Sequence, residues 1–378
     1  MHIIQECRRT EEPDAPELRL VRCSDDDSDE GRVRVRRHRR AITTALAAVA
    51  TAVLLAGCGG GGPAAGDHAG HEGMDTSGSS AGGAGHPAAP ACPPVPQLAA
   101  APERVVTMDG GAAAILTALG QRERIVGTAA PDFFTAFTGA ERSELDSIPV
   151  LDPGQGNTES VVAAKPDLVV GISSYSFGGF DGTPSVERLQ QAGAASLVAC
   201  DDAPSPVQNI DDTYTFVQQT AAVFGAEAQG TQLVDRIKAQ VAAATPAPGT
   251  APVRVLALSS APQTGQPLMT QGGSGLANGI ITLAGGQNIA ADQDSDFASL
   301  SAEQVAALDP QAIVVITGFS PQSDAELTAA IRSSPALAST TAVRENRLVT
   351  VPQSITLSPS VLNGHAVATI AKGIHGTG

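Results

Sequence analysis

A phrase of thirteen residues, TESVVAAKPDLVV at 158–170, returns in related form as AEQVAALDPQAIVV at 302–315. Aligning Glu159 with Glu303 gives both copies the pattern E-x-V-x-A-x-x-P, followed by a run of β-branched residues. The offset of 144 residues is too long for a solenoid repeat, which recurs every 20–50 residues or so. The recurrence therefore predicts two similar lobes, each containing a short helix followed by a strand.

The pattern around these two phrases alternates between apolar runs and helical segments. Strands are predicted at 104–108, 124–127, 167–172, 195–199, 253–259 and 311–316, and helices at 110–120, 184–192, 274–284, 323–332 and 359–373. Residues 207–245 are helical in pattern, with an interruption at Phe224-Gly225, and 226–244 reads as one long helix. Strands that alternate with helices indicate βα units. We predict an α/β fold with two mainly parallel sheets, one in each lobe.

The N-terminal segment has the order of a secretory signal. The basic run RVRVRRHRR (32–40) precedes the apolar run AITTALAAVATAVLLAG (41–57), as in exported proteins. The end of this run, LLAGC, resembles the lipobox of bacterial lipoproteins, which implies cleavage before Cys58 and a lipid on its sulfur. We expect a protein anchored to the outer face of the cytoplasmic membrane, at the cell surface or in the periplasm. An uncleaved signal anchor is the alternative.

Residues 59–101 consist largely of Gly, Ala, Pro and Ser. So few bulky apolar side chains cannot offset the entropy of ordering the chain, which predicts a flexible tether. Within it, side chains that suit a soft or borderline metal are His68, His71, Glu72, Met74 and His86; the alternative is a solvated tether with incidental histidines. In an exported chain, Cys92 and Cys200 are a candidate disulfide, or else two unpaired thiols.

Charge and composition exclude some classes of function. The chain has a net charge of −16, which argues against nucleic acid as a partner because phosphates are bound by clustered Lys and Arg. No G-x-S-x-G motif occurs in residues 102–378, and no histidine occurs between His86 and His365. Cys200 therefore has no obvious partner base, and we expect a binding protein without a cofactor rather than an enzyme.

Four stretches, in this order, resemble the substrate-binding proteins of bacterial ABC importers for iron-siderophores, cobalamin and haem. They are PERVVTMDGGAAAILTALGQRERIVGT (102–128), NTESVVAAKPDLVVG (157–171), LMTQGGSGLANGIITLAGGQNIA (268–290) and SLSAEQVAALDPQAIVVITG (299–318). The resemblance implies two α/β lobes joined by one long helix, with the ligand held in the cleft between them. It implies a monomer that delivers a small-molecule metal chelate to a dimeric ABC permease.

The predicted elements and the resemblance together give the domain limits. They are a leader and signal peptide at 1–57, a tether at 58–101, an N-terminal lobe at 102–225, a bridging helix at 226–245 and a C-terminal lobe at 246–378. The resemblance also implies that Glu159 and Glu303 dock onto arginines of the permease. A second explanation is that each carboxylate stabilises the positive end of its helix, and Ser301 with Gln304 has the spacing of a capping box.

Ligands of open α/β sheets lie beyond the carboxyl ends of the strands. The loops at these positions contain the predicted ligand-binding residues Met108, Asp109, Tyr175, Phe177, Phe180, Met269, Gln271 and Phe319. The stretch TQGGSG also predicts backbone N–H groups turned toward an oxygen of the ligand. Because these loops contain no Arg or Lys, they favour a neutral, bulky chelate such as a ferric hydroxamate siderophore. Cobalamin is an alternative, as is haem with Tyr175 as axial ligand.

Overall fold

A computed structural model describes residues 93–200, 209–319 and 322–376. The first sheet is wholly parallel, with the strand order β3-β2-β1-β4-β5. Its strands are β1 Val105–Thr107, β2 Ile125–Ala129, β3 Val150–Asp152, β4 Leu168–Gly171 and β5 Ala195–Val198. Its helices are α1 Gly110–Ala118, α2 Gly139–Asp146, α3 Thr158–Ala163 and α4 Val186–Gln191. Short 3₁₀ turns at Pro131–Ala136 and Ser174–Ser176 follow β2 and β4 at the edge where these strands end.

Two consecutive helices, α5 Ile210–Val223 and α6 Glu227–Ala244, follow the first sheet. A capping box between Asn209 and Asp212 begins α5. The chain reverses at Gly225, whose φ of +64° lies in the left-handed region that glycine tolerates best. With 18 residues, α6 is about 27 Å long, and it packs against α5.

The second sheet is also parallel, with the order β11-β10-β6-β8, and β7 and β9 form a separate antiparallel pair. The strands of this lobe are β6 Val253–Leu258, β7 Leu268–Gln271, β8 Gly286–Asn288, β9 Phe297–Leu300, β10 Ala312–Thr317 and β11 Leu348–Pro352. Its helices are α7 Leu276–Leu283, α8 Ala302–Leu308, α9 Asp324–Arg332, α10 Thr341–Arg344, α11 Gln353–Thr356 and α12 Asn363–His375.

One apolar cluster runs through both lobes. It contains Leu168 of the first sheet, Ile237 of α6, Val255 of the second sheet and Val367 of α12, each no more than 1 % exposed. Val95, upstream of the first strand, also contacts this cluster. Because α6 packs against both α5 and α12, the two lobes share a continuous core behind the cleft rather than a bare linker.

The predicted α/β class with two parallel sheets and an intervening long helix is confirmed. The predicted strands and helices are all present within the described residues, with ends that differ by a few residues. The sequence patterns did not predict β3, β8, β9 and β11, nor α2, α10 and α11. Among the described residues, no helix is both long and apolar enough to cross a membrane.

Candidate functional site

A cavity of about 560 Å³ lies between the carboxyl ends of the two sheets. Loops of the first lobe line one wall and loops of the second lobe line the other. Its lining residues are Met108, Asp109, Ala130, Asp132, Phe133, Pro153, Gly154, Gln155, Ile172, Ser173, Tyr175, Ser176, Phe180, Gln271, Gly275, Leu276, Asp296, Phe297, Gly318, Phe319, Gln353, Leu357 and Ser358. The volume falls within the range of small-molecule sites, about 300–1,000 Å³.

Six of the eight predicted ligand-binding residues line this cavity: Met108, Asp109, Tyr175, Phe180, Gln271 and Phe319. The other two do not. Phe177 is 3 % exposed and packs below its loop with Val169 and Leu189. Met269 is 40 % exposed on β7, where its sulfur accepts a hydrogen bond from Ser299. The structure therefore gives Phe177 a packing role and places Met269 outside the cavity.

The aromatic loop of the first lobe is held in one conformation by its own hydrogen bonds. The Thr183 hydroxyl accepts the N–H of Gly178 at 3.1 Å and donates to the carbonyl of Phe180 at 2.7 Å. The rings of Tyr175 and Phe180 lie 5.7 Å apart at an interplanar angle of 30°, within the range of favourable aromatic pairs. The loop thus offers a preformed pair of rings, with Phe180 39 % exposed.

Asp109 lies at the base of the cavity and joins two strand ends. Its Oδ1 accepts the N–H of Ala112 at 2.7 Å, which caps α1, and its Oδ2 accepts the N–H of Ile172 at 2.9 Å. Burial raises the pKa of Asp109 to about 6, although these backbone N–H groups oppose the rise. Both carboxylate oxygens are therefore already engaged in holding the loops after β1 and β4 together.

The glycines of TQGGSG bring two backbone segments into contact. The N–H groups of Gly272, Gly273 and Ser274 donate to the carbonyls of Asp296, Gln293 and Ser295. A Cβ on Gly272 would lie 2.0 Å from the carbonyl oxygen of Ser295. These three N–H groups hold the loop that precedes β9 in place. They are not turned toward a ligand, which corrects the expectation drawn from the motif.

Two carboxylates in the cavity were not singled out from the sequence. Asp132 comes from the 3₁₀ turn after β2, and Asp296 from the residue before β9. Burial raises the pKa of both, that of Asp296 to about 6. The residues that line the cavity include three aspartates, the third being Asp109, and no Lys, Arg or His. Nothing in the local sequence of either loop distinguishes these side chains from ordinary surface aspartates.

Comparison with known proteins identifies the family. Residues 105–355 match the family described as periplasmic binding protein. The chain belongs to the periplasmic binding protein family. It is 30 % identical over 284 residues to a cobalamin-binding protein of Halobacterium salinarum, a match that covers 74 % of this chain and 71 % of the relative.

Solved structures of the family share this fold at lower identity. A protein described as an ABC-type Fe³⁺-hydroxamate transport system from Saccharomonospora viridis is 22 % identical, with a TM-score of 0.60 over 74 % of this chain and 95 % of that one. A periplasmic haem-binding protein from Roseiflexus is 23 % identical, with a TM-score of 0.57 over 72 % of this chain and 98 % of that one. Family members are substrate-binding proteins that act outside the cytoplasm and serve ABC permeases.

The two glutamates of the repeated phrase lie at the same register in this family fold. Asn157 and Ser301 are the N-caps of α3 and α8, and Glu159 and Glu303 occupy the second position of those helices. Both glutamate side chains are exposed, and neither lines the cavity. Each copy of the phrase therefore places one exposed glutamate outside the cavity.

Several predicted sites fall outside the described residues. These are Cys58, Cys92 and the tether side chains His68, His71, Glu72, Met74 and His86, and their roles stay predictions. Cys200 is disulfide-bonded, but the pairing with Cys92 stays a prediction as well. Within the described residues, no group of three His, Cys, Asp or Glu side chains is arranged to hold a metal ion.

Proposed function

We propose that this protein captures a bulky metal chelate without net negative charge and delivers it to an ABC permease. The observation that carries the proposal is the cavity between the lobes, which is lined by aromatic rings and aspartates and by no Lys, Arg or His. Tyr175, Phe180 and Phe319 offer broad contact area to a large ligand. An anionic chelate would need cationic partners, which this lining does not supply.

Two chelate classes meet this requirement, each with separate support. A corrinoid is favoured by the 30 % identity to the cobalamin-binding protein of Halobacterium salinarum. A ferric hydroxamate siderophore is favoured by the cavity volume of about 560 Å³, which suits a compact chelate better than a whole corrinoid. Haem fits less well, because its two carboxylates would face the aspartates. Burial and the charge of Asp296 raise the pKa of Tyr175, which disfavours an axial tyrosinate.

Calorimetric titration of the purified domain tests the ligand class. The panel consists of cyanocobalamin, ferrioxamine B, a ferric tris-catecholate and haemin. We expect binding of one or both of the first two and no binding of the tris-catecholate. Binding of the tris-catecholate or haemin alone would refute the proposed ligand class.

We propose that Glu159 and Glu303 dock the loaded protein onto the permease. A symmetric permease dimer offers the same surface twice, and two lobes with carboxylates at equal register complement it. Glu159→Ala combined with Glu303→Ala is expected to leave ligand affinity within about twofold while abolishing uptake and stimulation of the transporter ATPase. Substitution by Lys is expected to be worse, because it adds repulsion to the lost contacts.

The chain offers a matched control for this experiment. Glu187 is exposed and occupies the second position of α4, two residues after the N-cap Ser185. Glu187→Ala removes the same helix-dipole interaction, worth about 0.3–1 kcal/mol, from a helix outside the repeated phrase. Normal uptake by the double variant, or an equal loss in Glu187→Ala, would show that docking does not depend on the repeated pair.

Delivery of a chelate to a permease requires the protein to work at the outer face of the membrane. We propose that Cys58 carries the lipid anchor and that the Gly/Ala/Pro-rich tether lets the binding unit reach both free ligand and permease. The protein would work as a monomer at the outer face of the cytoplasmic membrane.

A further inference from the structure

We infer that Asp296 and Asp132 select chelates that present N–H donors to the cleft and reject those that present carboxylates or phenolates. The inference rests on the proposed function and adds to it the chemistry of the ligand periphery. One of the two carboxylates comes from each lobe, so a ligand held between the lobes meets an acceptor on both sides.

Asp296 has a backbone role that fixes its position and a side chain that the fold leaves unused. Its carbonyl accepts the N–H of Gly272 at 2.8 Å, which fixes the start of β9 against the loop after β7. Its Oδ1 is buried and has no hydrogen-bond partner among the described residues, and none of the described ion pairs includes its carboxylate. Burial alone accounts for its raised pKa of about 6.

A buried carboxylate oxygen without a donor is an unfavourable arrangement in a folded protein. The buried carboxylate of Asp109 is satisfied, because it accepts two backbone N–H groups at 2.7 Å and 2.9 Å. Among the described residues, Oδ1 of Asp296 receives no such donor, although Asp296 lines the same cavity. The difference assigns Asp109 to the architecture, whereas Asp296 borders the cavity with a carboxylate oxygen that no described donor satisfies.

The opposite wall contributes a second carboxylate, which is exposed and interacts with backbone N–H groups of its own turn. Asp132 lines the cavity from the first lobe, and it is close enough to Asp109 for its charge to raise the pKa of that group. The charge of Asp296 likewise raises the pKa of Tyr175, so the two lobes face each other closely at this point. A ligand that fills the gap therefore lies among carboxylates contributed from both sides.

An ionised carboxylate can only accept hydrogen bonds. Carboxamide and ammonium groups donate to it, and these charge-assisted bonds are about twice as strong as neutral ones. A carboxylate or phenolate on the ligand would be repelled, and no Lys, Arg or His in the lining offsets that repulsion. The two aspartates thus favour a ligand with N–H donors at its periphery and disfavour one with carboxylates or phenolates there.

The test compares chelates that differ only in their periphery. One pair is dicyanocobinamide, with carboxamides, and dicyanocobyrinic acid, with carboxylates. The other pair is ferrioxamine B, with an ammonium arm, and its N-succinyl derivative, with a carboxylate arm. At least one of the two pairs is expected to bind. Within that pair, calorimetry at pH 7.5 should show that the protein binds the N–H-bearing member at least tenfold more tightly than the carboxylate member.

Substitution of Asp296 should reduce this preference by changing the affinity for both members of the pair. Asp296→Asn is expected to weaken binding of the N–H-bearing chelate about tenfold and to strengthen binding of the carboxylate chelate. Asp132→Asn tests the opposite wall independently if the first variant melts at a lower temperature than wild type. Asp292→Asn removes the same charge from an exposed position outside the cavity lining and should leave the preference unchanged.

The outcomes separate this inference from the proposed function. Binding of one chelate pair with an unchanged preference in Asp296→Asn and Asp132→Asn would refute the inference and leave the proposed function standing. A preference lost equally in Asp292→Asn would assign it to net charge rather than to these two side chains. Failure to bind either pair, while haemin or a tris-catecholate binds, would refute both.

Discussion

Replacing Gly272 by alanine is expected to displace the loop that carries Asp296. A Cβ at this position would lie 2.0 Å from the carbonyl oxygen of Ser295 and 3.2 Å from that of Gln293. Since Cβ atoms do not approach backbone oxygens closer than about 3 Å, the two segments must separate by roughly 1 Å in a region packed at crystal density. The hydrogen bond from Gly272 to the carbonyl of Asp296, now 2.8 Å long, would lengthen or break.

The magnitude follows from these two effects. Overpacking of a tight site costs about 1–3 kcal/mol, and a lost hydrogen bond adds about 1 kcal/mol. We expect Gly272→Ala to lower the free energy of unfolding by about 2–4 kcal/mol, which corresponds to a Tm lower by roughly 3–7 °C. Because Asp296 moves with the loop, affinity for the chelate should also fall.

Gly275→Ala is the matched control in the same loop. Its Cβ would meet atoms of Asp296 at 3.7 Å, an ordinary contact, and its φ of −96° suits alanine. Alanine is a poorer N-cap than glycine, at a cost of up to about 1 kcal/mol. Urea unfolding of both variants checks the stability prediction, and calorimetry of Gly272→Ala against wild type checks the loss of affinity. Equal stability of Gly272→Ala and Gly275→Ala would refute the close-approach explanation.

Three further predictions address the anchor, the aromatic loop and the buried acid. Cys58→Ser should move the protein from the membrane fraction to the medium or periplasm, or leave an unprocessed precursor; unchanged retention and size on a gel would contradict the lipobox prediction. Tyr175→Ala combined with Phe180→Ala should weaken chelate binding at least tenfold in calorimetry with little change in Tm. Phe177→Ala should instead lower the free energy of unfolding by about 3–5 kcal/mol. A loss of stability in the double variant, or a loss of binding without a loss of stability in Phe177→Ala, would contradict the assigned roles. The pKa of Asp109 rises on folding from 3.8 to about 6, so its stabilising contribution is full below pH 4 and is lost as the pH rises through 6. Relative to Asp109→Asn, wild type should thus lose about 2.4 kcal/mol between pH 4 and pH 7.5 in urea unfolding, and a difference independent of pH would refute this.

The fold could be predicted from the sequence because its central strands and helices have strong local patterns. β4 and β10 are runs of buried apolar residues, which are typical of the inner strands of parallel sheets. The missed strands have no such pattern. β8 consists of Gly286, Gln287 and Asn288, residue types that are rare in strands, and it is a strand because it pairs with β6.

The candidate site was predicted only where one loop contained a local signal. Tyr175 and Phe180 were found because rings are rare in this chain, which has two Tyr, nine Phe and no Trp. Asp132 and Asp296 were missed because they are 164 residues apart and become a pair only when the two lobes face each other. Phe177 was assigned to the ligand because its loop position does not reveal which ring turns inward.

The two copies of the phrase also share a type of hydrogen-bond partner that lies outside the phrase in the sequence. Arg104, at the start of the first sheet, donates to the carbonyls of Ala164 and Lys165 at the end of α3. Arg254, at the start of the second sheet, donates to the carbonyls of Leu308 and Asp309 at the end of α8. Each lobe thus uses an arginine to satisfy the carbonyls that a helix leaves unpaired at its end.

Most positions of the phrase have a structural reason to recur. Val161 and Val305 are both fully buried beneath their helices. Lys165 and Asp309 both end their helices with positive φ, +50° and +41°, as C-terminal helix caps commonly do. Recurrence at these positions follows from building the same helix-to-strand unit twice, so it carries no information about a partner.

The glutamates differ from these positions because the fold does not require them. Glu159 and Glu303 are exposed, and stabilisation of the helix dipole needs only an acidic residue somewhere in the first turn. Asp324 and Glu326 show this in α9, where the first turn has acids at its first and third positions. Packing and capping therefore explain why both lobes contain the phrase, and Glu187 at the second position of α4 shows that the register of the glutamates also occurs outside it. What separates Glu159 and Glu303 from Glu187 is one copy in each lobe, which is the arrangement that the proposed docking onto a two-fold permease requires.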